Sequence, residues 1–330
     1  MRIEAKQLRG ERKVKLHEVV PLPAPWSMWL DVTNACNFKC IYCPTGNIDM
    51  LASVGRKVGA MSMELIDKII HDLRDMPKLK IVGFYKDGEP LLHSQFTEIV
   101  RRFKEAEVSE QLWVKTNGEF LDRHPFLPEC GLDMLGISVP HVHEDGIFRT
   151  VGRHLDYAKY VDGIKRIFES DRTFKMYVKI GDAGLTEEEK DKFYHDFEPI
   201  SDYCSIEGLH GWTASDSKDL KILDKGSVDG VPFTKKIVCP LPFYMMSINF
   251  DGTVGACNDD WGHFHQLGDV NQHSIEEIWN GNKFNAFRLL HLDGKREDNR
   301  ACHGCQYIET LPDNIDQYRE EMKHAILSSL

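Results

Sequence analysis

The chain of 330 residues lacks the features that would place it in a membrane, in a secretory route or on nucleic acid. No apolar run approaches the roughly 20 residues that a membrane-spanning helix needs. The first ten residues, MRIEAKQLRG, carry charge but no apolar signal region. The net charge of −11 gives no excess of the basic residues that bind nucleic acid. We therefore expect a cytoplasmic protein with neither a membrane nor a nucleic-acid partner.

Isolated cysteines are also scarce, although the chain has nine cysteines in total. Without a secretion signal, cysteines indicate metal or redox sites in a reducing compartment and not disulfides. Only Cys130 and Cys204 stand alone, and a lone cysteine is most often a small buried hydrophobic residue. The other seven form two groups. The early group is Cys36, Cys40 and Cys43, and the late group is Cys239, Cys257, Cys302 and Cys305.

Strands and helices alternate along much of the chain. Apolar patterns predict six strands, at 28–32, 80–85, 112–115, 134–139, 174–180 and 203–208. Helical spacing predicts helices at 62–74, 95–106 and 155–168, and Thr186-x-x-Glu189 is a capping box for another. This alternation indicates an α/β protein with a parallel sheet and right-handed crossovers. The length indicates one large domain and a smaller one.

The early cysteine group follows the first predicted strand directly, as Cys36-x3-Cys40-x2-Cys43. Thiolates are the usual ligands of four-iron clusters, and three of them leave one iron open for a substrate or cofactor. Cys40-x2-Cys43 alone would also fit half of a zinc site. Three close cysteines without a local fourth favour the iron–sulfur cluster.

This spacing, with Tyr42 before the last cysteine, resembles the signature of the radical S-adenosylmethionine (SAM) superfamily. The resemblance implies a partial (β/α)6 barrel and a [4Fe–4S] cluster whose open iron binds SAM. It implies cleavage of SAM to a 5′-deoxyadenosyl radical that abstracts a hydrogen atom, while the protein positions the reacting groups. Such an enzyme would need a flavodoxin- or ferredoxin-type reductant. By analogy with full barrels, reactive groups should lie at the C-terminal ends of the strands.

The stretch Gly88-Glu89-Pro90 follows the second predicted strand. A glutamate between a permissive glycine and a rigid proline is a preset acceptor for an ammonium group. The stretch resembles the superfamily's GGEP element, which holds the SAM amine, with Asp87 where a glycine is common. The resemblance further implies a ribose contact at Ser138 and makes Arg153 a candidate clamp for the SAM carboxylate. The remaining predicted cofactor contacts are Tyr42, Asn117 and Lys179.

The late cysteine group surrounds a predicted hairpin and a helix. Asp251-Gly252 between two apolar segments is a strong hairpin signal. Ser274-x-x-Glu277 is a capping box for a helix from Ile275 to about Leu292. Four cysteines in such a setting would suit a closed structural zinc site.

The order of these features resembles the SPASM/twitch extension of radical SAM enzymes, and four cysteines match its shorter form. The resemblance implies one auxiliary [4Fe–4S] cluster. It also divides the chain into four predicted parts, which are a lead-in at 1–26, the barrel at 27–238, a small hairpin-plus-helix twitch/SPASM domain at 239–310 and a C-terminal helix at 311–330.

Only about 26 residues precede the first predicted strand, too few for a peptide-recognition domain. By resemblance to members with one auxiliary cluster, we expect a small polar substrate that is sugar-like, aminocyclitol-like or nucleoside-like. The expected reaction is a two-electron alcohol oxidation, with the auxiliary cluster accepting the second electron. Radical epimerisation is the main alternative. A peptide (RiPP) maturase and a zinc-stabilised binding protein without catalysis are the others.

Epimerisation requires a hydrogen donor, often a thiol, close to the substrate. Cys130 and Cys204 precede or begin predicted strands, which places them at the opposite end of the barrel from the reaction. Alcohol oxidation requires a base, and a histidine pKa near neutrality suits that role. The candidate bases are Lys86, His141, His143, Lys179 and His210.

Overall fold

A nine-stranded sheet forms the centre of the molecule, for which a computed structural model describes residues 1–3, 14–209 and 234–330. The strand order is β6-β5-β4-β3-β2-β1-β7-β8-β9. The strands are β1 (Ser27–Leu30), β2 (Leu79–Gly83), β3 (Ser109–Thr116), β4 (Met134–Val139), β5 (Lys175–Gly181), β6 (Tyr203–Glu207), β7 (Met245–Ile248), β8 (Thr253–Gly255) and β9 (Gly268–Asp269).

Helices connect the parallel strands and cover the sheet. Each of the first six strands pairs in parallel with its neighbours, as the βα alternation predicts. The helices are α1 (Ile48–Ser53), α2 (Met63–Arg74), α3 (Phe96–Ala106), α4 (Glu144–Val151), α5 (Tyr157–Glu169), α6 (Glu187–Phe197), α7 (Ile275–Asn280), α8 (Asn282–Leu292), α9 (Tyr307–Thr310) and α10 (Arg319–Ser328).

Local sequence signals explain where several helices begin. The Ser62 hydroxyl accepts a hydrogen bond from the Leu65 amide at the start of α2. Thr186 and Ser274 form complete capping boxes at the starts of α6 and α7. Capping satisfies amide groups that have no partner within the helix. The predicted α/β fold class, a parallel sheet followed by a hairpin and helices, is confirmed.

The late hairpin is joined directly to the first strand. β7 pairs in parallel with β1, with Ser27 opposite Met245 and Leu30 opposite Ile248. β7 then pairs antiparallel with β8 across the predicted turn at Asp251-Gly252. The same sheet therefore extends from the barrel strands into the late cysteine region, and the proposed boundary at residue 239 stays a prediction.

Some elements differ from the prediction. The helix expected from Ile275 to Leu292 is divided into α7 and α8 at Gly281, which has an extended backbone. The C-terminal helix predicted at 311–330 begins only at Arg319. Helices α1, α4 and α9 were not predicted. Most of the predicted linker at 209–238 lies outside the described residues. Within the described ranges, no helix is both long and apolar enough to span a membrane.

Candidate functional site

The early cysteine loop follows the C-terminal end of β1 and rests on α4. The Lys39 amide donates to the Val151 carbonyl and the Ile41 amide to the Thr150 carbonyl, both at 2.9 Å. The buried Phe38 ring packs against Val151. A short helix that was not predicted from the sequence therefore holds the loop in place.

The three thiols of this loop lie in a setting that disfavours their ionisation in the absence of a cation. Burial raises the pKa of Cys36 to about 12, and burial also raises the pKa of Cys40 and Cys43. The Cys43 Sγ lies 3.0 Å from the Thr45 Oγ1. A metal centre favours thiolates, because its positive charge offsets the cost of burying them. Three free thiols in one loop are the donor set that a cluster with one open iron requires.

Glu89 presents a buried carboxylate beside this loop. It accepts hydrogen bonds from the Thr116 Oγ1 at 2.6 Å, the Asn117 amide at 2.7 Å and the Leu91 amide at 3.0 Å. Burial raises its pKa to about 7, although these hydrogen bonds act in the opposite direction. A bound ammonium group would restore the ionised form, so the carboxylate suits the amine contact that was predicted for it.

A chain of polar side chains joins Asn117 and Arg153 to the cysteine loop. The Asn117 Nδ2 donates to the Asn37 Oδ1 at 2.8 Å, and the Asn37 Nδ2 donates to the Glu119 Oε2. The Arg153 Nε donates to the Glu119 Oε1 at 2.8 Å. The structure thus brings together two predicted cofactor contacts with Asn37 and Glu119, which sequence reasoning missed.

Ser138 and Lys179 are direct neighbours on β4 and β5. The Lys179 Nζ lies 2.5 Å from the Glu207 Oε2 on β6, and the Tyr177 hydroxyl donates to the other carboxylate oxygen at 2.5 Å. Burial lowers the pKa of Lys179, and the charge of Glu207 opposes that effect. Lys179 is therefore held in an ion pair, and Glu207 was not predicted.

His141 and His143 lie after β4 and face Glu189. The His143 Nδ1 accepts a hydrogen bond from the Gly146 amide, so its Nε2 carries the hydrogen that it donates to Glu189 at 2.8 Å. That tautomer leaves no lone pair on Nε2 for a metal ion. The His141 Nε2 lies 3.6 Å from the same carboxylate. His210, the third histidine among the base candidates, lies outside the described residues.

Lys86 is enclosed at the end of β2 and not free. Its Nζ lies 2.9 Å from the Asp87 Oδ2, 3.0 Å from the Asn249 Oδ1 and 3.0 Å from the His263 Nε2. The last two partners belong to the late cysteine region. Sequence reasoning missed His263, and the unusual Asp87 was the only local signal for this cluster.

The late cysteines line one pocket. Burial raises the pKa of Cys239 to about 12, and burial also raises the pKa of Cys257 and Cys302. The His291 Nε2 lies 3.8 Å from the Cys302 Sγ. The pocket is lined by all four cysteines together with residues that include Asp260, His265, His291 and Arg296. Four thiols around one buried space form a closed donor set, which suits an auxiliary cluster.

Each of these two regions matches a known protein family. The radical SAM superfamily matches residues 30–197, and the SPASM iron–sulfur cluster-binding domain matches residues 239–306. The first match covers more than half of the chain, and the chain belongs to the radical SAM superfamily. Its cofactors are accordingly SAM, a SAM-binding [4Fe–4S] cluster and an auxiliary iron–sulfur cluster, as predicted. The individual ligand and SAM contacts named above stay predictions.

Several known proteins are similar to this chain at low sequence identity. The SAM-dependent 2-deoxy-scyllo-inosamine dehydrogenase of Niallia circulans is 22% identical over 294 residues, which is 88% of this chain and 96% of that protein. A structure of BtrN with AdoMet and 2-DOIA has a TM-score of 0.53 and 20% identity, covering 87% of this chain and 96% of that chain. The structure of Streptococcus suis SuiB bound to the precursor peptide SuiA has a TM-score of 0.62 and 14% identity, and the match covers 90% of this chain and 73% of that chain. The BtrN and SuiB structures share the fold of this chain.

Proposed function

We propose that this radical SAM enzyme is a dehydrogenase that oxidises the hydroxyl-bearing carbon of a small polar molecule by two electrons. The observation that carries the proposal is the pocket lined by four thiols, in the region that β7 joins to the barrel sheet. When bound, SAM and its cluster supply a radical that abstracts a hydrogen atom, and the auxiliary cluster supplies an acceptor for the second electron.

Residues of the chain have distinct roles in this proposal. Cys36, Cys40 and Cys43 hold the first cluster. Glu89 holds the SAM amine, and because its side chain is buried, a charged contact there is stronger than at the surface. The four late cysteines hold the auxiliary cluster.

The dehydrogenase relative supports this choice, because its match runs over nearly the full length of both chains. The positions of the isolated cysteines also support it. Cys130 and Cys204 are buried, and the Cys204 backbone pairs with Arg2 at the start of the chain. Neither is placed to return a hydrogen atom to a substrate radical near Glu89, which disfavours a thiol-dependent epimerase.

The test is a turnover assay with the reconstituted two-cluster protein, SAM, a strong reductant and a panel of sugars and aminocyclitols in heavy water. We expect a keto product that is lighter than its substrate by two hydrogen atoms. A product of unchanged oxidation level that carries solvent deuterium on carbon would identify an epimerase and reject the proposal. A precursor peptide serves as the comparison substrate, and a modified peptide would likewise reject the proposal.

A further inference from the structure

A buried polar cluster lies where the end of β2 meets the loop after β8. Asp87 is fully buried, and the His263 side chain is only 10% exposed. The His263 Nε2 lies 3.0 Å from the Asp87 Oδ2. Asp87 comes two residues before Glu89, and His263 comes two residues before His265, which lines the pocket of the late cysteines. Each member of the pair is therefore two positions along the chain from a residue of one of the two proposed cofactor sites.

Two cations lie beside the carboxyl groups of this cluster. The Lys86 Nζ lies 2.9 Å and the Arg56 Nη1 lies 3.0 Å from the Asp87 Oδ2, and the Arg56 Nη2 lies 3.9 Å from Asp31. Ligand atoms of Asp31, Asp87 and His263 come within 4.8 Å of one another. However, the two cations already occupy the space next to Asp87, so a further metal ion is disfavoured by repulsion.

The two nitrogens of His263 have different surroundings. The Lys86 Nζ and the Asp87 Oδ2 both lie 3.0 Å from the His263 Nε2. Lys86 also donates to Asp87 and to Asn249, and we assign the hydrogen on the His263 Nε2 to the bond with Asp87. The Nδ1 then carries the lone pair, and it has no hydrogen-bond partner in the part of the chain that the structure describes. This is the arrangement in which an aspartate orients a histidine that acts as a base.

The backbone of His263 supports a special role for this residue. Its φ is 51°, in the left-handed region that a residue with a side chain adopts at a cost. Such conformations concentrate at functional sites, where the surrounding structure holds them in place. Burial has the largest effect on the pKa of His263 and lowers it. The charge of Lys86 lowers this pKa as well, whereas Asp87 raises it. The neutral form, which a base requires, is favoured.

We propose that His263, oriented by Asp87, accepts the proton that the substrate hydroxyl loses during oxidation. This rests on the proposed alcohol oxidation. In that reaction the substrate C–H bond breaks and its hydrogen atom goes to the radical derived from SAM. The hydroxyl proton goes to the His263 Nδ1, the auxiliary cluster, when bound, would accept the remaining electron, and the carbon–oxygen double bond forms. His263 is then a catalytic residue, and Asp87 is a positioning residue.

The test uses His263→Gly in the reconstituted two-cluster protein, since glycine adopts a positive φ without strain. We expect keto product to form about 10²–10⁴-fold more slowly, which is the usual contribution of a general base. Hydrogen transfer from a deuterated substrate into 5′-deoxyadenosine should persist. Added imidazole should restore part of the rate, and Asp87→Asn should slow product formation and shift its pH profile. His273→Asn, at an exposed histidine of the same region, is the matched control.

His263→Asn serves as a second variant if the glycine variant loads its clusters poorly, since asparagine also tolerates this backbone. An unchanged rate in either variant would overturn the proposal. So would a slow variant that imidazole does not rescue and whose pH profile matches that of the wild type, because it would indicate a structural role. If the wild-type protein itself yields no keto product, the proposed dehydrogenase function fails instead, so the two failures are distinct.

Discussion

Glu89 illustrates how one buried carboxylate can be prepared for a cationic ligand. All three of its protein hydrogen bonds come from neutral donors, and no cation contacts it among the described residues. Burial therefore raises its pKa to about 7. A ligand ammonium would supply the missing positive charge. Recognition by Glu89 therefore depends on the charge of the ligand and not only on the shape of the ligand.

Glu89→Gln should weaken SAM binding. The variant loses a charge-assisted hydrogen bond of about 1.5–3 kcal/mol, which corresponds to roughly 10- to 100-fold in Kd. Equilibrium binding of SAM to the reconstituted protein measures the effect. Glu188→Gln, at an exposed position on α6, should bind SAM as the wild type does. Equal affinities in all three proteins would rule out the amine contact at Glu89.

Asp31 should make the stability of the protein depend on pH. Burial and the nearby charge of Asp87 raise the pKa of Asp31 to about 7, above its ordinary value of 3.8. Between these values the folded protein holds a proton that the unfolded chain releases, so this group's stabilising effect declines as the pH rises towards 7. The Tm of Asp31→Asn relative to wild type should therefore increase from pH 5 to pH 8.

Thermal unfolding at the two pH values provides this measurement. Asp171→Asn, at an exposed position, should show the same difference from wild type at both pH values. A pH-independent difference for Asp31→Asn would mean that Asp31 ionises in the folded protein much as it does in the unfolded chain.

At the scale of elements, the loop after β2 and the cysteine loop after β1 meet backbone to backbone at Gly88. A Cβ atom at this position would lie 2.1 Å from the Thr33 carbonyl oxygen and 2.6 Å from that of Ala35. The two loops can approach only because Gly88 lacks a side chain. This contact sets the distance between Glu89 and the early cysteines.

Gly88→Ala should separate the two loops and strongly weaken SAM binding. Gly163→Ala in α5 is the control, because its new Cβ would find only the Arg166 Nη2 at 3.7 Å. The control should bind SAM normally and gain up to about 1 kcal/mol of stability. Equilibrium SAM binding and thermal unfolding compare the two variants. Normal SAM affinity in Gly88→Ala would show that the loops can move apart without consequence.

The elements differ in how far the sequence predicts them. Strands β4 and β5 and helices α2 and α3 follow continuous apolar patterns, which are local and therefore visible. Helix α4 was missed, because it is short and its buried residues contact the cysteine loop and not the main core. The break between α7 and α8 depends on Gly281, where a Cβ would lie 2.6 Å from the Glu277 carbonyl oxygen. Such a clash depends on the folded backbone.

The site shows the same division. Cys36 to Cys43 and Gly88 to Pro90 are contiguous motifs, and the sequence alone predicts their chemistry. Asp87 and His263 are 176 residues apart, and no local pattern connects them. Their contact exists because the loop after β8 returns to the end of β2.

At the scale of the whole molecule, the two cysteine groups should load independently. Replacing Cys36, Cys40 and Cys43 together by alanine should remove about four of roughly eight irons and abolish SAM cleavage. The auxiliary pocket keeps its four thiols in that variant. Iron and labile sulfide analysis measures the result, and Cys130→Ala should retain the full iron content. An unchanged iron content in the triple variant would contradict the assignment of the early cysteines.

The pairing of β1 with β7 also has a consequence for the order of events on the ribosome. β1 emerges early, but one of its two partner strands is encoded about 200 residues later. At translation rates of about 5–20 residues per second, that delay is roughly 10–40 s. During this interval one edge of β1 has no partner. Nascent chains therefore pass through a period in which iron–sulfur delivery can precede closure of the sheet.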